Sequence, residues 1–92
     1  MQLNGGATVS GGTLTNNNIV SGTVNVSGTG TVANNATITG AVNNNATFNN
    51  NAGGTVSGLL TNTAGTTTNA GQLNGGATVS GGTLTNNNTV SG

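Results

Sequence analysis

The only side chains in this chain that could take part in chemistry are hydroxyls and carboxamides. The 92 residues include no Lys, Arg, Asp, Glu, His or Cys. A nucleophilic hydroxyl needs a neighbouring base, and general acid–base catalysis needs a group that titrates near neutral pH. Since hydroxyls and amides supply neither, the sequence predicts that the protein is not an enzyme and has no catalytic residues.

The sequence also contains few groups that could bind a metal ion or a cofactor. A metal ion would have to be held by amide and backbone oxygens alone, which is a weak donor set even for calcium. The glycine pairs Gly5-Gly6 and Gly11-Gly12 lack the lysine and the following helix that make a glycine-rich loop bind phosphate. We therefore expect no metal and no cofactor, and we interpret the glycines as corners of the chain.

The formal net charge is zero, because no side chain is charged. Binding to nucleic acid through phosphate neutralisation, or to an anionic membrane, has no residues to use. No apolar run is long enough for a transmembrane helix. Net charge normally keeps soluble proteins apart, so the sequence predicts self-association into a homo-oligomer or fibre, with no nucleic-acid partner and no membrane insertion.

A short motif, an aliphatic residue followed by Ser, Thr or Asn and then glycine, recurs in steps of 17 or 18 residues. This step is too long for one strand and too short for a domain, and it is typical of one coil of a parallel β-solenoid. We expect the aliphatic residues to form a core column. They are Leu3, Val20, Ile38, Val56, Leu73 and Val90.

Two further columns keep the same phase. The first contains the glycines of the motif, which are Gly5, Gly22, Gly40, Gly58, Gly75 and Gly92. The second contains Asn16, Asn34, Asn51, Asn69 and Asn86. Glycine readily adopts positive φ and Asn is the next most tolerant residue, so we expect both columns at corners. Stacked asparagines should also form ladders of amide hydrogen bonds.

A longer repeat encloses the short one. Residues 72–92 copy residues 2–22 at an offset of 70, with Thr89 in place of Ile19 as the single change. Four coil steps span the same 70 residues, so one long repeat holds four whole coils. We therefore expect residues 1–92 to be a single solenoid segment of roughly five coils, at approximately 3–19, 20–37, 38–55, 56–72 and 73–89.

The composition limits the size of the core. Only 30% of the residues are hydrophobic and Phe48 is the single aromatic residue, which is little for a compact globule of this length. Disorder and a thin, repetitive core are the two alternatives, and the phased aliphatic residues favour the second. Because Thr61 to Thr68 contain almost no large apolar residue, Thr or Ala should fill the inward positions of the fourth coil.

The array resembles the repeat regions of secreted bacterial β-solenoid adhesins, namely autotransporter passengers and filamentous-haemagglutinin-like proteins. The segments that carry the resemblance are residues 12–18 and 22–28, in a neutral background of Gly, Thr, Asn, Val and Ser. The resemblance implies an all-β, right-handed parallel β-helix, secreted or exposed at the cell surface. Small residues two places before several aliphatic ones, as in Ala36 and Ile38, are also similar to left-handed hexapeptide solenoids.

These observations predict a structural segment of an extracellular fibre or adhesin stalk that self-associates by end-to-end stacking of coils. A functional amyloid-like biofilm matrix protein is one alternative. A solenoid that binds ice or a glycan is another, because Thr-x-Thr motifs can present a flat row of hydroxyls. The pattern appears only locally, as in Thr13-Leu14-Thr15, Thr37-Ile38-Thr39 and Thr83-Leu84-Thr85, and we expect that these three do not share one phase.

Overall fold

A computed structural model describes residues 2–92, and all the regular secondary structure in this range is β-strand. Alternating aliphatic and hydroxyl residues, many of them β-branched, suit short strands with one buried side. Sixteen strands form, each of two to four residues. They are β1 (Gln2–Leu3), β2 (Ala7–Val9), β3 (Thr13–Asn16), β4 (Ile19–Val20), β5 (Val24–Val26), β6 (Thr31–Asn34), β7 (Thr37–Ile38), β8 (Val42–Asn44), β9 (Thr47–Asn50), β10 (Thr55–Val56), β11 (Leu60–Asn62), β12 (Thr66–Asn69), β13 (Gln72–Leu73), β14 (Ala77–Val79), β15 (Thr83–Asn86) and β16 (Thr89–Val90).

The strands belong to three parallel sheets, and every third strand along the chain returns to the same sheet. The first sheet has the order β1-β4-β7-β10-β13-β16, the second β14-β11-β8-β5-β2 and the third β15-β12-β9-β6-β3. Each turn of the chain therefore lies on the one before it. The predicted all-β parallel solenoid of about five coils is confirmed.

The aliphatic column lies in register along the first sheet. Leu3 pairs with Val20, Val20 with Ile38, and the pairing continues to Val90. Its four middle members, from Val20 to Leu73, are at most 1% exposed. Leu3 and Val90 lie in the end coils, where Leu3 is half-buried and Val90 is 37% exposed.

Each coil directs five side chains inward, one from the first sheet and two from each of the others. In the second coil these are Val20, Val24, Val26, Val32 and Asn34, all of them buried. Phe48 occupies the fourth inward position of the third coil and is fully buried. In the fourth coil the same position is taken by Thr67, which confirms that Thr substitutes for a large apolar residue there.

The corners between strands absorb the differences in coil length. In the third coil only residues 45–46 separate β8 from β9, whereas residues 27–30 separate β5 from β6 in the coil below. The next corner compensates, because residues 51–54 separate β9 from β10 where the other coils use two residues. The sheets consequently stay in register although the third-sheet strands do not recur at a constant step.

Candidate functional site

The third sheet carries a continuous ladder of asparagine amides on its inner side. The Nδ2 of each asparagine except the last donates to the Oδ1 of the asparagine in the next coil, over 2.7 Å for the first bond and 2.9 Å for the last. The two middle bonds are both 2.8 Å. The ladder consists of Asn16, Asn34, Asn50, Asn69 and Asn86.

The ladder also fixes the corner that follows it. The Nδ2 of Asn34 donates to the carbonyl of Ala36, two residues further on, and to the carbonyl of Thr55 in the next coil. The backbone N–H of Gly71 donates back to Oδ1 of Asn69 over 3.3 Å, which is the local pattern by which Asn closes a turn. Since Asn34 and Asn69 are fully buried, these bonds satisfy groups that water does not reach.

The prediction that Asn51 belongs to this column is wrong, because Asn50 occupies its position in the ladder. The short corner at residues 45–46 brings β9 to the third sheet early, so that Asn50 lies opposite Asn34 and Asn69. Asn51 instead donates to Asn35 over 2.7 Å, and Asn35 donates to Asn17 over 3.0 Å. These three residues form a separate row at the surface.

A second inner polar cluster lies on the second sheet, and sequence reasoning missed it. Asn44 and Asn62 occupy inward positions at which the two coils below carry Val26 and Val9. The Nδ2 of Asn44 donates to Oδ1 of Asn62 over 2.8 Å and to the hydroxyl of Thr67 over 3.0 Å. The Thr67 hydroxyl in turn donates to Oδ1 of Asn62. The signal was available, since both asparagines stand two residues after a buried aliphatic residue on a strand.

At most positions of the corner-glycine column, the stacked coils leave no room for a Cβ atom. Gly22 and Gly92 have positive φ, as predicted, but Gly5, Gly40, Gly58 and Gly75 do not. A Cβ on Gly40 would meet the backbone carbonyl of Gly22 in the coil below, and one on Gly58 would meet the carbonyl group of Gly40. The expectation that Asn also occupies positive φ is wrong, because only glycines do so among residues 2–92.

The outer side of the third sheet carries a row of threonines in register. Thr13, Thr31, Thr47, Thr66 and Thr83 occupy successive coils. A parallel row on the same strands reads Thr15, Ala33, Asn49, Thr68 and Thr85. As expected, the three predicted Thr-x-Thr motifs do not share one phase, because Thr37-Ile38-Thr39 begins on the first sheet. Thr66-Thr67-Thr68, however, joins the other two on the third sheet.

Apolar side chains of the core are exposed or only half-buried at the two end coils. At the last coil, Val79 is 46% exposed and Val90 is 37% exposed. At the first coil, a cavity of about 400 Å³ is lined by residues that include Leu3, Leu14 and Ile19. Within residues 2–92 the outer strand edges at these ends have no neighbouring strand.

The inner and outer faces of the solenoid present hydroxyl, carboxamide and aliphatic side chains. No buried side-chain nitrogen or oxygen among the described residues lacks a hydrogen-bond partner. Residues 2–92 also contain no helix that is long and apolar enough to cross a membrane. Comparisons with protein-family models, with curated proteins and with solved structures find no match.

Proposed function

We propose that the chain is a structural element, a segment of an extracellular fibre or adhesin stalk that self-associates by end-to-end stacking of coils. One observation carries the proposal: the strand edges are open at both end coils, with exposed Val79 and Val90 at the last coil and a cavity beside Leu3 and Leu14 at the first. Unpaired parallel edges are templates for further strands, and natural proteins usually blunt them with charge, proline or a covering element. The sequence contains no charged residue and no proline.

The dimensions of the chain agree with a building block. It measures 30 × 26 × 18 Å, so a single copy is scarcely longer than it is wide. Length and stiffness have to come from repetition, in which each coil contacts only its neighbours and the stack can be continued. The resemblance of residues 12–18 and 22–28 to adhesin repeats supports a location outside the cell or at its surface.

Microscopy and diffraction test this function directly. The purified chain should form unbranched filaments in negative stain, and oriented filaments should diffract at about 4.8 Å along their axis, which is the spacing of stacked strands. Particles that stay monomeric by light scattering at high protein concentration would contradict the proposal.

A matched pair of charge variants assigns the contact to the coil ends. Val79→Lys places an ammonium at the open edge of the core and should stop filament growth. Thr61→Lys is the control, because Thr61 lies on the outer side of β11, which has a neighbouring strand on both sides. Equal growth of the two variants would place the contact elsewhere on the surface.

Ice binding is the second candidate function, and the unbroken outer row from Thr13 to Thr83 favours it. Threonine is stiff at χ1, so the row presents hydroxyl and methyl groups at the strand spacing of ~4.8 Å. None of its five hydroxyls takes part in a hydrogen bond with another of the residues 2–92. A glycan is less well served by this face, because Phe48, the single aromatic residue, is buried.

Inhibition of ice recrystallisation tests the second candidate. The chain should slow the growth of ice crystals, and Thr47→Lys in the middle of the row should remove the effect. Thr61→Lys is the control, since Thr61 is similarly half-buried on the outer side of the second sheet. An unchanged crystal size with the parent chain would rule out ice binding while leaving the fibre proposal standing.

A further inference from the structure

The inner asparagine ladder of the third sheet has a direction. In all four of its bonds the donor is Nδ2 of the lower coil and the acceptor is Oδ1 of the coil above. The bond between Asn44 and Asn62 on the second sheet runs the same way. The inner polar bonds therefore distinguish the two ends of the solenoid chemically.

The two ends of the ladder are left with complementary groups. Asn86 Nδ2 donates to the carbonyl of Asn88 in its own coil, whereas Asn69 Nδ2 also reaches Oδ1 of Asn86 and the carbonyl of Thr89 above it. At the opposite end, Oδ1 of Asn16 accepts from the backbone N–H of Asn18, and within residues 2–92 no strand lies below β3 to donate an amide. One end thus presents a donor and the other an acceptor.

We infer that two copies of this chain join head to tail, with Asn86 Nδ2 of one copy donating to Asn16 Oδ1 of the next. Head-to-head contact would place two amide donors against each other, and tail-to-tail contact would place two carbonyl oxygens against each other. Only the head-to-tail orientation continues both the ladder and the parallel pairing of the strands. The inference rests on the proposed end-to-end association and specifies its polarity and its partner.

The sequence of the end coils fits this junction. Residues 72–92 repeat residues 2–22, so β2 and β3 of the second copy meet their own counterparts, β14 and β15. Val9 of the second copy covers the exposed Val79, and Leu14 covers the half-buried Leu84. Stacked valines already occur at Val9 and Val26 inside the chain, which shows that this pair of side chains fits the coil spacing.

The strand count sets the register of the junction. The first sheet has six strands and the other two have five. When β2 of the second copy lies on β14, its β1 falls on the position that β16 of the first copy already occupies. One of these two-residue strands therefore leaves the first sheet, while the second and third sheets continue without a gap.

Introduced cysteines test polarity and register together, because the chain has no cysteine of its own. Thr8 and Thr78 are exposed and lie at corresponding positions of β2 and β14. Across the proposed junction their Cα atoms lie ~4.8 Å apart, within reach of a disulfide. Inside one chain the two positions lie on opposite edges of a five-stranded sheet, roughly 19 Å apart, and cannot be bridged.

The Thr8→Cys/Thr78→Cys double variant should give a ladder of disulfide-linked dimers, trimers and longer species on mild oxidation. Each single variant should stay monomeric on a non-reducing gel. Dimers from either single variant would mean head-to-head or tail-to-tail contact and would overturn the inference while the proposed fibre function stands. Filaments without any linked species from the double variant would overturn the register. A chain that forms no filaments at all overturns both proposals.

A pair of aspartate variants tests the ladder bond itself. Asn86→Asp keeps the oxygen that accepts from Asn69 but puts a carboxylate oxygen in place of Nδ2, which donates to the Asn88 carbonyl and would also donate across the junction. Its association should weaken about tenfold or more, because the carboxylate would face Oδ1 of Asn16 in the next copy. Asn87→Asp adds the same charge at the neighbouring exposed residue and should change association less than twofold. Equal weakening in the two variants would overturn the ladder contact.

Discussion

Asn34 donates from Nδ2 to Oδ1 of Asn50 over 2.8 Å and so joins two coils through a bond that is buried at both ends. The same nitrogen also reaches the backbone of its own coil and of the coil above. A single amide thereby holds together the strand, the corner and the neighbouring turn of the solenoid.

Asn34→Ala should lower the free energy of unfolding by about 1–3 kcal/mol, because it leaves the Asn16 amide and the Asn50 carbonyl without their ladder partner. Urea denaturation at low protein concentration measures the change. Asn45→Ala is the control, since Asn45 is exposed, and it should stay within about 0.5 kcal/mol of the parent. Similar losses in both variants would argue against a stabilising ladder.

Asn50→Ala and Asn51→Ala distinguish the observed column from the one predicted at a constant step. Asn50 is 1% exposed and bonds to both ladder neighbours, so its loss should cost about 1–3 kcal/mol. The surface bond of Asn51 to Asn35 competes with water and should contribute less than about 1 kcal/mol. The opposite order of stabilities would restore Asn51 to the inner column.

Three glycine-to-alanine variants distinguish the energetic cost of a positive φ from the cost of a steric clash at the added Cβ. Gly11 has only a hydroxyl at 3.7 Å from the added Cβ, so Gly11→Ala should be neutral or stabilise by up to about 1 kcal/mol. Gly12 has φ of 70° and open space, so Gly12→Ala should cost about 1–2 kcal/mol. Gly40→Ala should cost more than either, because its Cβ meets the backbone of Gly22. Thermal unfolding of the three variants gives the order.

Thr67→Val tests the inner polar cluster. Valine has nearly the shape of threonine, but it cannot donate to Oδ1 of Asn62 or accept from Nδ2 of Asn44. Despite the more apolar side chain, we expect a loss of about 1–3 kcal/mol, since two buried amides lose a partner. Thr66→Val, on the outer side of the same strand, serves as the control. A more stable Thr67→Val would show that the cluster can be replaced by an apolar core.

The stability of the parent chain should not depend on pH between about 4 and 9, apart from small effects of the terminal amino and carboxyl groups. No side chain of the sequence titrates in this interval, so folded and unfolded chains bind the same number of side-chain protons. Urea midpoints across a pH series measure this. A midpoint that moves strongly within the interval would contradict the expectation.

The aliphatic column could be predicted because a solenoid has to return the same face to the core once per coil, as Val20, Ile38 and Val56 do. The exact members of the asparagine column could not be predicted in the same way. A constant step assumes corners of constant length, and the corners at residues 45–46 and 51–54 differ in length from those of the other coils. Asn44 and Asn62 were missed because polar side chains are normally expected outside. The close approach that excludes a Cβ at Gly40 is a property of two stacked coils and leaves no mark in either coil alone.

The parallel stacking of successive coils has a mechanical consequence. Since strand pairing joins each coil only to the one above and the one below, a pull on one end of the chain should open the outermost coil before the coils of the interior. Coils of 17 or 18 residues would peel off singly, and each would release roughly 55–60 Å of extended chain. Under tension the chain should therefore lengthen in successive steps of nearly equal size.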